Sequence, residues 1–344
     1  MYKILIICFL FVSCVSTREA DLVDPMRHFD DCPYSQLTAI NVIDLEELCI
    51  YRPWAIIKQD GLYYIYDNVN ADVIKILNPL RGDVKKGVHQ GNGPGEIVST
   101  EGFFKKGKDI NLLDGTSMVQ YQLETTADSV FLLPVKRYES LQALSNPCFI
   151  DNKIISTAFN DSVWIRYYVD TDLKGTIAFP SFDETDKLSD LEKSWAFLSM
   201  RFCFRPDGCR AVGAMQSGCL LSILECSDDN IKEVVQYKYY PLVFAATGLA
   251  SRPIGETSRC RVGFCGLTCS DKYIYALYSG KTMENLSDAF RASYVFVYDW
   301  NGNPVKYYHL DKELFGDIGV DEKAGILYGI GYDPEGCIIE YKLN

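Results

Sequence analysis

The chain has 344 residues, with 34 Lys and Arg against 46 Asp and Glu, for a formal net charge of −12. Hydrophobic residues make up 48% and charged residues 23%, a globular balance that excludes a disordered or collagen-like chain. There is no basic block to hold phosphates, which argues against nucleic acid, and His28, His89 and His309 leave little material for histidine-based metal or triad chemistry.

Residues 1–14 read MYKILIICFLFVSC, a basic start at Lys3 followed by an apolar run over residues 4–12. That run is too short to span a bilayer and has the length of a signal-peptide core. It ends in Phe11-Val12-Ser13-Cys14, which resembles a bacterial lipobox, with Cys14 as the lipidated first residue of the mature chain. The expected organisation is a signal peptide over residues 1–13, a polar and acidic tether over 14–38, and one domain over 39–344.

From residue 39 onward the sequence is a series of short β-type runs broken by Asp, Asn and Gly. A turn followed by an apolar strand recurs at residues 60 (LYYIYD), 107 (DINLLD), 151 (KIISTAF), 207 (CRAVGAM), 271 (YIYALYS) and 322 (AGILYGIGYD). A second turn and a partner strand follow each, as in YVFVYDWNGNPVKYYHL from Tyr294. Six units at roughly 50-residue spacing, each worth one small antiparallel sheet, predict an all-β, six-bladed β-propeller. The last unit is short, so the strand-like AINVIDL from Ala39 is expected to join the last blade and close the ring. Residues 181–200 and 283–292 read as short helical insertions with Ser or Asp starts.

Of the thirteen cysteines, Cys8 lies in the leader and Cys14 at the lipid position, which leaves an odd eleven that cannot all pair within one chain. No C-x-x-C occurs, and Cys203, Cys219 and Cys337 sit in apolar runs where a thiol packs as a small hydrophobe. Mostly free, buried thiols are expected, with one or two disulfides as the alternative and a zinc site as the remote one.

The segments 91–96 (GNGPGE), 277–281 (LYSGK), 298–305 (YDWNGNPV), 320–323 (VDEK) and 326–328 (ILY) resemble signatures of the TolB-like six-bladed propeller lipoproteins of gut Bacteroidales, in the same order. The resemblance covers nearly all of the mature chain. It implies a lipid-anchored propeller in the bacterial cell envelope, at the outer membrane, and brings with it no settled activity and no agreed catalytic residues.

The individual motifs read mostly as structure. The 91–96 loop lacks G-x-G-x-x-G spacing and precedes no helix, so it is expected as a crossover between blades that shapes a rim of the channel. Residues 102–108 mimic the start of a P-loop, but Asp109 stands where Ser or Thr is needed. No G-x-S-x-G elbow exists, and acid pairs such as Glu46-Glu47 and Asp228-Asp229 read as solvated turns. The tripeptides starting at Asp128 and Asp161 resemble short O-glycosylation acceptors.

Candidate ligand-binding residues are Trp54 and Tyr278, placed to stack on a sugar or peptide at the channel mouth, and Arg52, Arg201 and Lys281, placed to hold an anionic group. The function expected is a non-enzymatic binding module for a glycan, peptide or envelope protein, meeting the membrane only through its lipid. No cofactor and no metal site is expected under that reading. The alternative is a calcium-dependent lactonase- or esterase-like propeller hydrolase, for which no ligand set can be assembled from the sequence.

Overall fold

The structure, a computed structural model, describes residues 18–20 and 24–343, apart from 70, 127–128, 139–140, 142–143, 159–160, 183–184 and 332–335. Cys14 and the leader lie outside the described residues.

Blade one is an antiparallel sheet of Pro53–Gln59, Leu62–Asp67, Asp72–Asn78 and Asp83–His89. Blade two follows with Thr100–Lys106, Asp109–Asp114, Val119–Thr125 and Val130–Arg137. Blade three comprises Leu144–Ile150, Lys153–Ala158, Ile165–Val169 and Asp172–Ile177. Blade four comprises Met200–Phe204, Arg210–Met215, Cys219–Cys226 and Ile231–Tyr240.

Blades five and six run together as one continuous sheet because they share the long strand Pro304–Asp321. Its first part pairs with Arg291–Asp299 as the outer strand of blade five, beyond Phe264–Cys269 and Tyr273–Tyr278. Its last part pairs with Ile326–Gly331 as the inner strand of blade six. Gly316, at φ 76°, lies in the link between the two, in backbone that a β-carbon would strain. The sheets therefore make six blades.

Blade six is completed by Cys337–Lys342 and, as expected, by Ala39–Asp44 from the other end of the chain. The inner strands neighbour one another round the ring, and the last returns beside the first. There the Ile56 N–H donates to Asp317 Oδ2 at 3.0 Å and the Lys58 N–H to the Tyr328 hydroxyl at 3.0 Å. Glu340 accepts from Tyr63 at 2.5 Å and from Asn41 at 2.9 Å, and pairs with Lys58.

The second strand of every blade is buried along nearly its whole length, because neighbouring blades cover both its faces. That double burial makes these six segments the repeat seen in the sequence. The two insertions are helical: Asp190–Ala196 starts with a Ser189–Glu192 capping box, and Leu286–Ala289 is a single turn.

Residues 24–37, assigned to the tether from sequence, lie against blades four and five instead. Asp24 caps the helix Pro25–His28, with Oδ1 accepting from the Met26 N–H at 2.9 Å. Phe29 is fully buried and stacks on Phe296 at 4.6 Å between ring centroids. Tyr34–Leu37 adds in parallel to the outer edge of blade five, and Arg18–Ala20 to that of blade four. Radial blades splay outward, and Phe29 fills the wedge that opens between these two. Cys203, read from sequence as a packed thiol, is disulfide-bonded to Cys269, since the inner strands of blades four and five bring positions 66 residues apart side by side. Cys219, Cys226, Cys260 and Cys265 are buried free thiols.

Candidate functional site

The inner strands all start at one end of the channel, and the residues near those starts form its mouth. Trp54 and Glu101 are second in their strands, Arg201 is second in Met200–Phe204, and Asn146 is third in Leu144–Ile150. Asp317 follows Gly316 in the link to blade six. Trp54, Asn146 and Arg201 line two adjoining cavities of about 170 and 250 Å³, the larger of which also takes in Glu101 and Asp317.

Burial raises the carboxyl of Asp317, while the facing Arg201 guanidinium and the N–H groups of Ile56 and Ile318 pull it down. Burial raises Glu101 as well. Asp317 is thus spent in large part on stitching blade six to blade one. Arg201 makes no ion pair within 4.0 Å among the described residues.

A third and larger cavity, about 440 Å³, adjoins the mouth between blades one and five. Arg52, Trp54 and Asn68 contribute from blade one. Leu286 and Phe290 come from the loop between the second and third strands of blade five, Arg291 from the start of that third strand, and Phe315 from the link to blade six. Trp54 lines all three cavities and is 55% exposed. Phe290 and Phe315 meet edge to face at 6.4 Å. The Arg52 backbone is engaged, its N–H donating to Asp67 Oδ1 at 3.1 Å and its carbonyl accepting from the Asn68 N–H at 3.4 Å, so only its side chain is left for recognition.

The structure therefore gathers three of the sequence candidates, Arg52, Trp54 and Arg201, and sets two apart. Tyr278 ends the second strand of blade five rather than an inner strand. It is 4% exposed and hydrogen-bonded to the Tyr240 hydroxyl at 2.7 Å inside the core between blades four and five. Lys281 lies in the following loop, held by Glu313 at 2.7 Å and Asp288 at 2.9 Å. Arg291, Phe290 and Phe315 were missed because only the tertiary fold carries them to Trp54. The helical insertion at 283–292 was the sequence signal that a loop there stood out from its blade.

The 91–96 loop is a crossover from blade one to blade two. The Gly93 N–H donates to Glu96 Oε2 at 2.7 Å, and the same carboxylate occupies the space that a β-carbon on Gly91 or Gly93 would need. Gly91 and Gly93 are accounted for by this close approach, and Gly95 by its φ of 81°.

Calcium asks for about six to eight oxygen ligands. The described lining offers the carboxylates of Glu101 and Asp317, the second already bonded to an N–H and facing Arg201. No group of three His, Cys, Asp or Glu among the described residues is arranged to hold a metal ion. These donors do not fit a calcium site.

A family model for TolB-like six-blade propeller-like proteins matches residues 33–323. Among solved structures, a Bacteroides fragilis protein proposed to be exported aligns over 90% of this chain and 94% of its own, with a TM-score of 0.54 at 12% identity. A calcium-binding protein, regucalcin, from Agrobacterium tumefaciens aligns over 91% of this chain and 97% of its own, with a TM-score of 0.48 at 10% identity. At that identity the first likeness shows the fold alone, and the second carries no argument. No functionally curated protein matches the chain.

Proposed function

The chain belongs to the TolB-like six-bladed propeller family, and on that basis we propose that it is an exported, lipid-anchored binding module that captures its ligand at the face where the inner strands start. The observation that carries the reading is Trp54. A large indole 55% exposed at the junction of three cavities, beside guanidiniums with no ion pair among the described residues, is a recognition surface rather than a packing one.

Export and anchoring are supported by the apolar run at residues 4–12, the lipobox-like residues ending at Cys14, and the exported assignment of the Bacteroides fragilis relative. No helix among the described residues is long and apolar enough to cross a membrane. Metabolic labelling with an alkyne fatty acid tests the anchor: label is expected on the wild type and lost in Cys14→Ser.

The binding role is tested with the chain from residue 15 on glycan and peptide arrays. Binding that Trp54→Ala abolishes is expected. Turnover of a lactone or ester, lost on one channel substitution, contradicts it. The hydrolase alternative rests on a channel calcium, so saturating calcium should raise the melting temperature by several degrees if that alternative holds. No rise is expected here.

A further inference from the structure

The cavity between blades one and five is built for a ligand with a particular charge and shape, and we propose that it binds a carboxylated sugar residue, a uronate within an acidic glycan. This rests on the reading of the strand-start face as the binding surface and names what that surface takes.

The first argument is charge. The chain carries a formal net charge of −12, yet the described residues around this cavity include two arginines and no Asp or Glu. Arg52 and Arg291 form no ion pair among the described residues, whereas Arg166, Arg205 and Arg252 are matched by Asp161, Asp207 and Glu256. Two guanidiniums on one cavity repel each other and have no counter-charge among the described residues that line it, so a bound anion stabilises the arrangement. A planar guanidinium donates two parallel N–H groups to a carboxylate, a match that a lysine ammonium does not make.

The second argument is shape. Trp54, with Phe315 and Phe290 in edge-to-face contact beyond it, supplies flat apolar surface on which the C–H face of a pyranose stacks. The Asn68 side chain supplies amide donors and an acceptor for hydroxyl groups. At about 440 Å³ the cavity falls in the range of small-molecule sites. An extended peptide would call on open backbone groups of a strand edge, and those of Arg52 are already engaged. Because Trp54 also borders the channel mouth with Arg201, an oligomer of such sugars continues from the cup past the indole toward a third guanidinium.

Isothermal titration of the chain from residue 15 with trigalacturonate, the galacturonate monomer, the fully methyl-esterified trimer and an acidic tripeptide tests this. Trigalacturonate is expected to bind more tightly than the monomer, and Arg52→Gln or Arg291→Gln to weaken it about ten-fold or more. The methyl ester should lose a similar factor on wild type and nothing further on the variant combining Arg52→Gln with Arg291→Gln. Arg81→Gln, an exposed arginine elsewhere, should leave binding unchanged. If ester and acid bind equally and Trp54→Ala abolishes both, the carboxylate inference falls while the binding face stands. If the acidic tripeptide alone binds, the sugar assignment falls. If nothing binds this face in this titration or on the arrays, both readings fall.

Discussion

Replacing Phe29 with alanine tests whether the segment before the first blade is part of the fold. The ring is fully buried, stacked on Phe296 at 4.6 Å and edge-on to Tyr298 at 5.0 Å, among the side chains that fill the space between blades four and five. Truncating a buried phenylalanine costs about 3–5 kcal/mol, of which aromatic pairing supplies about 0.5–1.5. For a chain of this length that corresponds to a fall of about 4–7 °C in melting temperature. Differential scanning calorimetry of Phe29→Ala reads it directly, with the exposed neighbour Asp30→Ala as control. If the two variants melt together, the segment is a tether and the wedge-filling argument is wrong.

Glu340 joins the closing blade to blade one. Although burial raises its carboxyl, the hydrogen bonds from Lys58, Tyr63 and Asn41 hold it below the ordinary 4.5. A depressed carboxylate contributes stability that is present above that value and lost as the pH falls through its folded pKa. Glu340→Gln should therefore destabilise the fold by about 1–3 kcal/mol at neutral pH and flatten the decline in urea midpoint below pH 4.5; an unchanged acid profile contradicts this. The Cys203–Cys269 bridge closes a 66-residue separation, so Cys203→Ser with Cys269→Ser should cost about 2–4 kcal/mol, read from urea unfolding without reductant. Thiol titration in denaturant should find two more reactive thiols after reduction than before, and equal counts would place no bridge there.

The propeller was legible because its repeat is enforced twice at the same place. The turn entering five of the six second strands holds a residue at positive φ, as at Asp60 and Gly61 with φ of 50° and 79°, so Asp, Asn and Gly mark it. The strand that follows is covered on both faces and reads as a continuous apolar run. The inner strands lack such a mark, since one edge faces the channel and their residues alternate between packing and lining. That is why Tyr278 and Lys281 were placed at the mouth although they flank the end of a second strand.

The site was half legible for a related reason. Arg52 and Trp54 stand together at the start of an inner strand, where an aromatic and a cation have no local packing role. Their partners Arg291 and Phe315 are more than two hundred residues away in sequence and arrive only when the ring closes. Residues 24–37 were illegible because their anchoring depends on few buried side chains, Pro25, Phe29 and Leu37 among them, with no period to betray them.

Hydrogen–deuterium exchange of the mature domain, with and without saturating trigalacturonate, tests the location of the binding surface most directly. The account predicts slowed exchange in peptides covering residues 52–54, 286–291 and 315–317, and none at the outer edge Val130–Arg137. Protection confined to outer strands, or absent from the strand-start loops while ligand is bound, would contradict it.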